Sequence, residues 1–168
     1  KKIIRLDFLF LFHQWKKKIC HLALRSLPTL KTELNTKIMK FSLIICTYMR
    51  PKPLLKLLQS VKEQIVYPDE VLIVDGSVNQ ETKEILSQNI FQNLNYFLVS
   101  EKDRGLTRQR NYGISRVGKE MDIVCFLDDD TVLEPDYFEQ LLKTFEIHTE
   151  ALGAGGYINN ETIWEKSK

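Results

Sequence analysis

Cysteine and histidine are scarce in this sequence, which has three of each among its 168 residues. No two cysteines form a CxxC pair and the histidines are scattered, so the sequence indicates neither a zinc site nor a disulfide framework. Cys46 and Cys125 lie inside apolar runs. We therefore expect them to be buried free thiols, as in a protein of a reducing compartment.

Long hydrophobic runs are also missing. The apolar stretch at residues 3–12 has ten residues and contains Arg5 and Asp7. Ten residues are too few to span a bilayer, and no small-residue cleavage site of a signal peptide follows. The stretch therefore predicts neither a membrane span nor a secretory signal.

Charge is distributed unevenly along the chain. Residues 1–38 carry nine Lys and Arg against two acidic residues, whereas residues 39–168 carry 15 against 20. The mildly acidic body argues against nucleic-acid binding. Because Met39 stands directly before the first strong strand, we predict that residues 1–38 lie upstream of one functional domain at 39–168. Two alternatives stay open for this basic leader, an amphipathic arm on a membrane surface and a packed helix.

From Phe41 onward, short apolar runs alternate with helical patterns. Strand starts fall near residues 41, 70, 95, 122 and 151, a spacing typical of strand–helix–strand units in a largely parallel α/β sheet. The predicted strands are 41–46, 70–75, 95–100, 122–127 and 151–158, and the predicted helices are 54–65, 79–91, 105–117 and 135–148. The GAGG segment at 153–156 is interpreted as a tight or bulged part of the last strand.

Two nucleotide-binding motifs that are common in parallel α/β sheets do not occur. There is no GxxxxGK[ST], and the first strand leads into TYMRPK rather than GxGxxG. Polar residues instead follow the strands, with Thr47 after the first, Asp75 at the end of the second and Asp128–Asp130 after the fourth. Carboxyl ends of parallel strands share one edge, where α/β sheets bind ligands.

The segment FLDDDT, residues 126–131, is the most informative in the chain. Three carboxylates directly after a buried strand offer the oxygen ligands that Mg²⁺ or Mn²⁺ prefers, and they repel one another when unpaired. Arg104, Arg108 and Arg110, around a predicted helix start, would suit phosphate groups. The alternatives are an acidic turn before the next helix and a solvated arginine face.

Four segments together resemble glycosyltransferase family 2, the large group of inverting sugar transferases with the GT-A fold. They are FSLIICTYMRP, EVLIVDGSVNQET, GLTRQRNYGI and IVCFLDDDTVLEPDYFEQLL, in that order, and they cover roughly residues 41–157. The resemblance implies a Rossmann-like GT-A sheet with flanking helices. It also implies a UDP- or dTDP-sugar donor, a Mg²⁺ or Mn²⁺ ion, and a saccharide or lipid-linked acceptor.

The same resemblance assigns expected roles to individual residues. Thr47 matches a residue that borders the nucleoside, and Asp75 matches the acid that accepts a hydrogen bond from the uracil or thymine N3–H. Arg110 and Asn111 match a pair that lies beneath the donor. Gly76 stands where family members often have a second acid, which would remove one ribose contact.

The aspartates match the DxD motif of the family. Asp130 is the expected direct metal ligand, and Asp128 is expected to contact the ribose or support the metal. Arg50 and Asp129, which belong to the same segments, are counted among the donor-binding residues.

No general base is identified, because in this family it lies beyond the fifth strand, and we expect it beyond Lys168. The chain is thus expected to hold the donor and metal half, to bind a nucleoside diphosphate, and to transfer sugar poorly by itself. An inactive nucleotide-binding module stays open as an alternative. The family also implies polysaccharide or glycoconjugate synthesis in the cytoplasm, including the inner face of the membrane.

FLDDDT also fits the DxDx[TV] pattern of haloacid-dehalogenase-like phosphatases, in which the first Asp is a nucleophile. That motif normally follows the first strand of its domain, whereas here it follows the fourth. Too few residues remain after Thr131 for the later motifs of that class. The sequence therefore favours the glycosyltransferase interpretation.

Overall fold

The computed structural model describes residues 2–5 and 39–158 of the chain. Its elements are β1 (Lys2–Arg5), β2 (Phe41–Thr47), α1 (Pro51–Lys62), β3 (Glu70–Asp75), α2 (Glu81–Ser87), β4 (Leu94–Leu98), a 3-10 turn (Glu101–Asp103), α3 (Leu106–Ile114), β5 (Ile123–Asp128), β6 (Thr131–Leu133), α4 (Tyr137–Ile147) and β7 (Tyr157–Ile158). The type of every element predicted between residues 41 and 148 is confirmed. The boundaries differ by up to about four residues, as helix ends commonly do.

The main sheet has four strands in the order β4-β3-β2-β5, and all of them are parallel. This confirms the predicted fold class, a Rossmann-like parallel sheet with flanking helices. In the register of the sheet, Thr47 lies opposite Asp75, and Cys46 lies opposite Asp128. The carboxyl ends of β2, β3 and β5 therefore meet at one edge of the sheet.

The central strands β2 and β3 are apolar on both faces because helices cover both faces. Leu43 and Ile45 belong to a large core cluster with side chains from α1 and α4, including the fully buried Phe138. Ile44 and Val74 belong to a smaller cluster on the other face, against which Tyr112 of α3 packs. Helix α3 thus lies directly on β2 and β3, close to the edge with the polar strand ends.

Gly113 of α3 allows this close approach. A Cβ atom at Gly113 would lie 2.7 Å from Cγ2 of Ile44 and 3.2 Å from its Cδ1. Ile44 is fully buried in a central strand, so its branched side chain has little room to move. We expect Gly113→Ala to lower the free energy of unfolding by about 1–2 kcal/mol despite the better helix propensity of alanine.

Urea unfolding of the two proteins measures this difference. Gly153→Ala is the matched control, because a Cβ atom there meets no atom within 4 Å. Equal or greater stability of Gly113→Ala would show that the helix does not need the glycine for its packing.

The prediction of a fifth strand at 151–158 is wrong for residues 151–156. Only Tyr157–Ile158 form a strand, which pairs antiparallel with β1 in a second sheet of order β6-β1-β7. The GAGG segment is not part of a strand, so its interpretation as a bulged strand is also wrong. Leu152 is fully exposed, and a Cβ atom at Gly153 or Gly155 would meet no atom within 4 Å. The segment lacks the side-chain packing that would hold a strand in place.

Four residues of the basic leader are among the described residues, and the prediction that residues 1–38 lie upstream of the functional domain stays a prediction. Lys2–Arg5 form the strand β1, which pairs in parallel with Thr131–Leu133 of β6. Residues 6–38 lie outside the described residues. The two alternatives for the leader, an amphipathic arm on a membrane surface and a packed helix, fall on these residues. Within the part of the chain that the structure describes, no helix has the length and apolar character needed to cross a membrane.

Candidate nucleotide-diphosphate site

The side chain of Asp129 points into the protein, towards the carboxyl end of β2. The Thr47 hydroxyl donates a hydrogen bond to Oδ2 of Asp129 at 2.7 Å, and Nη1 of Arg50 donates to Oδ1 at 2.9 Å. The side chain of Asp129 is only 7% exposed. Both of its oxygens therefore have protein partners, and Asp129 joins β2 to the loop after β5 rather than facing the solvent.

Arg50 also reaches the next aspartate. Its Nη2 donates to Oδ2 of Asp130 at 3.2 Å, so one guanidinium bridges two carboxylates. The turn before Arg50 includes Met49 in the left-handed region, with φ of 56°. A non-glycine residue adopts this conformation only under constraint, and here the Met49 N–H donates to the Ser77 hydroxyl at 2.8 Å.

Asp128 ends β5 and is paired from the other face of the sheet. Nη2 of Arg110, on α3, donates to Oδ1 of Asp128 at 3.2 Å, and its guanidinium also lies over the Phe126 ring, 5.7 Å from the centroid. The Asp128 side chain is more than half exposed, so a second oxygen stays accessible to a ligand. Asn111 is exposed on α3, and its side chain makes no hydrogen bond with the described residues.

Asp75 is the most deeply buried of the predicted site residues. Its Oδ1 accepts from the Ser77 N–H and its Oδ2 accepts from the Tyr96 hydroxyl, each at 2.8 Å. Asp75 has no exposed surface, whereas the resemblance expects it to accept a hydrogen bond from the nucleobase. In this structure Asp75 holds the turn after β3, and a base would reach it only if the Tyr96 hydroxyl moved aside.

Gln109 was missed by the sequence analysis, although it joins three parts of this edge. Its Nε2 donates to the carbonyls of Thr47 at 3.0 Å and Val74 at 2.8 Å, and its Oε1 accepts from the Gly105 N–H at 3.2 Å. The residue is 4% exposed. A glutamine within a run of polar residues carries no sign in the sequence that it will be buried.

The position of Gln109 explains why a glycine suits position 76. A Cβ atom at Gly76 would lie 3.2 Å from Oε1 of Gln109 and 3.4 Å from Cγ of Arg104. A larger residue at this position would therefore press on the hydrogen bonds of Gln109. Gly76 keeps the turn after β3 close to α3.

The three predicted arginines do not act as one cluster in the structure. Only Arg110 pairs with an aspartate of the triplet, whereas Nη1 of Arg108 donates to the Lys102 carbonyl at 3.1 Å. Nε of Arg104 is buried without a hydrogen-bond partner among the described residues. Arg50, rather than Arg104 or Arg108, completes the positive charge around the aspartates.

Burial and neighbouring charges shift the pKa values of Asp129 and Arg50. Burial raises the pKa of Asp129, with a further increase from Asp128 and Asp130, while the Thr47 hydrogen bond and Arg50 act in the opposite direction. The hydrogen bond with Asp130, followed by the charge of Asp129, raises the pKa of Arg50. The uncharged form of Asp129 is thus favoured by burial, and Arg50 is the cation that offsets this effect.

The two cysteines of the described chain are free thiols, as predicted. Burial raises the pKa of Cys46 to about 11 and that of Cys125 to about 12. The predicted burial is confirmed for Cys125 but is wrong for Cys46, which is partly exposed at the end of β2, next to Asp128 in the sheet. Neither thiol ionises appreciably at neutral pH, so neither is a candidate nucleophile.

A divalent cation at this edge would need ligands from outside the protein. Within the described residues, no three His, Cys, Asp or Glu side chains are arranged to hold a metal by themselves. Asp128 and Asp130 nevertheless offer two partly exposed carboxylates, each with one oxygen bound by a single arginine. These hard oxygen donors fit Mg²⁺ or Mn²⁺ when water and phosphate oxygens complete the coordination shell.

A groove with a volume of about 840 Å³ begins at Arg110 and Asp128 and follows β5. Phe126 and Leu127 of β5 and Leu141 and Phe145 of α4 are among the residues that line it. Strand β5 is at the end of the four-stranded sheet, which leaves this side of it open. The groove thus connects the charged aspartate edge with a largely apolar surface.

Comparison with known proteins places this arrangement in one family. Residues 42–167 match the model of the family described as Glycosyl transferase family 2. The chain is 32% identical over 133 residues to a glucosyl-dolichyl phosphate glucuronosyltransferase of Haloferax volcanii, a match that covers 76% of this chain and 41% of the relative. It is 33% identical over 117 residues to an Escherichia coli UDP-Gal:alpha-D-GlcNAc-diphosphoundecaprenol beta-1,3-galactosyltransferase, covering 65% and 42%.

Solved structures give the same result. The fragment 1–349 of S. aureus TarS in complex with UDP-GlcNAc superposes with a TM-score of 0.57 at 25% identity, over 66% of this chain and 32% of the fragment. Its complex with UDP superposes with the same TM-score at 27% identity, over 66% and 33%. The chain spans about two fifths of the length of the curated relatives named above and about a third of these solved fragments.

Proposed function

Because this chain belongs to glycosyl transferase family 2, we propose that it binds the nucleoside-diphosphate part of a nucleotide-sugar donor, a UDP- or dTDP-sugar. One observation carries the proposal. Asp128 and Asp130, paired with Arg110 and Arg50, stand at the carboxyl edge of a parallel sheet. Cations and carboxylates in alternation suit a diphosphate that is held partly by arginine and partly through a divalent cation.

The relatives support the donor class. TarS is described in complexes with UDP and UDP-GlcNAc, and the Escherichia coli relative is named for a UDP-Gal donor. We infer a uridine or thymidine diphosphate from these relatives and from the role that the resemblance gives to Asp75, which would require the Tyr96 hydroxyl to move aside. Thr47 and Asp75 would lie behind the nucleoside, and Asn111 on α3 would face the donor beside Arg110.

The chemistry of the reaction explains the residue types. Transfer breaks the bond between the sugar and the diphosphate and leaves negative charge on the phosphate oxygens. A bound Mg²⁺ or Mn²⁺ would supply positive charge to those oxygens. Asp130 and Asp128 would hold the ion, and Arg50 and Arg110 would add hydrogen bonds to the diphosphate.

The acceptor side is proposed at a coarser level. We propose transfer with inversion to a saccharide or lipid-linked acceptor in polysaccharide or glycoconjugate synthesis, in the cytoplasm or at the inner face of the membrane. An acceptor in the groove along β5 would approach the donor sugar at Asp128. Inversion also needs a carboxylate base beside the acceptor hydroxyl, and we assign no described residue to that role.

Isothermal titration calorimetry with UDP tests the proposal. We expect the chain to bind UDP in the presence of Mn²⁺ and to lose most of that affinity when EDTA removes the metal, because the aspartates then repel the diphosphate. AMP with Mn²⁺ is the control for unspecific nucleotide binding. Equal binding of UDP and AMP, or binding that EDTA does not change, would contradict the proposal.

A further inference from the structure

We infer that Arg50 is an internal counterion of the aspartate edge, which neutralises Asp130 until a divalent cation binds there and then donates to the diphosphate. The inference rests on the proposed donor site and adds a switching role for one of its residues. It follows from the two contacts of the Arg50 guanidinium, one with Asp129 and one with Asp130.

The two ends of this bridge differ in burial. The Nη1 contact, 2.9 Å from Oδ1 of Asp129, is made to a side chain that is 7% exposed. The Nη2 contact, 3.2 Å from Oδ2 of Asp130, is made to one that is 35% exposed. Because the Arg50 side chain is itself 48% exposed, the contact with Asp129 is partly buried and the better shielded of the two, whereas the contact with Asp130 is exposed and more easily exchanged.

Asp129 is held in place by more than Arg50. The Thr47 hydroxyl donates to its other oxygen at 2.7 Å, within the buried part of the edge. The Asp129–Arg50 contact is therefore the anchored one, and Asp129 acts as a positioning residue that keeps the guanidinium at the edge of the site. The contact with Asp130 is the one that can be released.

Cation binding and arginine pairing compete for the same carboxylate. When Asp130 contributes an oxygen to a divalent cation, the Nη2 of Arg50 loses its partner while Nη1 stays fixed. An unpaired guanidinium N–H beside a metal-bound diphosphate has a phosphate oxygen as its natural acceptor, in the paired geometry that arginine favours. Arg50 is thus expected to weaken the binding of the cation alone and to strengthen the binding of the nucleotide with its cation.

Arg50→Gln tests these two opposite effects. Mn²⁺ binding without nucleotide is measured from the electron paramagnetic resonance signal of free Mn²⁺, and UDP binding in saturating Mn²⁺ by calorimetry. We expect the variant to bind Mn²⁺ alone about three- to fivefold more tightly, because an exposed competing ion pair is lost. We expect it to bind UDP about tenfold more weakly, because a charge-assisted hydrogen bond is lost.

Two further variants control for charge and folding. Lys52→Gln removes the same charge from an exposed position two residues away, and it is expected to change both affinities less than twofold. Arg50→Lys keeps the charge but has one ammonium group in place of the two guanidinium nitrogens, so its Mn²⁺ affinity is expected to lie between those of the wild type and Arg50→Gln. Circular dichroism melting curves establish whether each variant is folded. If Arg50→Gln does not fold, the Mn²⁺ and UDP affinities of Arg50→Lys decide the test.

The outcomes separate this inference from the donor-site proposal. Wild-type protein that binds neither Mn²⁺ nor UDP would overturn both. Wild-type binding with an unchanged or weaker Mn²⁺ affinity in the Arg50 variants would overturn the counterion role and leave the donor site standing. The counterion role would also be overturned if Lys52→Gln raised the Mn²⁺ affinity as much as Arg50→Gln does.

Discussion

Asp130→Ala is expected to lower the affinity for UDP in the presence of Mn²⁺ at least about 100-fold, to the level measured in EDTA. Asp130 is one of the two partly exposed carboxylates of the edge that a single arginine holds, and it is the one that the family resemblance gives as the direct metal ligand. Without it, the remaining oxygen of Asp128 is too little to keep the ion beside the diphosphate. Calorimetry with and without EDTA measures the two affinities.

The stability of Asp130→Ala should change little. Its ion pair with Arg50 is exposed, and such pairs contribute about 0–1 kcal/mol. Glu146→Ala, which removes the same charge from an exposed position on α4, is the control for net charge. UDP binding that still depends on Mn²⁺ in Asp130→Ala would exclude Asp130 as the necessary ligand.

The middle aspartate shows where sequence reasoning stops. All three residues of the triplet look alike in the sequence, and Asp129 was counted among the donor-binding residues. Asp128 is the last residue of β5, whereas Asp129 lies in the turn that follows the strand. Asp128 meets Arg110 of α3, while Asp129 meets Thr47 and Arg50. Local spacing could not identify these partners, because they come from distant parts of the chain.

The parallel sheet could be predicted because its signals are local. Phe41–Thr47 and Glu70–Asp75 are short apolar runs that lead directly into turns, and helices of amphipathic pattern separate them. Which strand ends meet also depends on the order of the strands in the sheet. That order cannot be predicted from the spacing of the elements along the chain. The second sheet was missed because Lys2–Arg5 pair with residues more than 120 positions away.

Contacts between distant polar side chains were equally out of reach. Tyr96 lies in a predicted strand with no sign that its hydroxyl will bind Asp75, 21 residues earlier. Burial, followed by the hydrogen bond and charge of Asp75, raises the pKa of Tyr96 well above its usual range. Tyr96 is therefore a neutral donor at all physiological pH values, which suits a group that must hold a buried carboxylate.

Gln109→Leu is expected to lower the free energy of unfolding by about 2–3 kcal/mol and to weaken UDP binding as well. Leucine is close to glutamine in size, but it cannot donate to the Thr47 and Val74 carbonyls or accept from the Gly105 N–H. Buried polar groups that lose their partner cost about 1–3 kcal/mol. Urea unfolding measures the loss of stability, and calorimetry with UDP and Mn²⁺ measures the effect on the site.

The control for this change is Gln59→Leu on the exposed face of α1, where no buried group depends on the amide. Gln109→Glu separates the two functions of the side chain, because a carboxylate still accepts from Gly105 but no longer donates to the strands. If Gln109 clamps the strand ends through its donor, Glu should destabilise at least as much as Leu, because its buried carboxylate would also face the two carbonyl oxygens. A loss below about 0.5 kcal/mol in both would mean that the ends of β2 and β3 keep their positions without α3. The edge that presents the aspartates would then be set by the sheet alone.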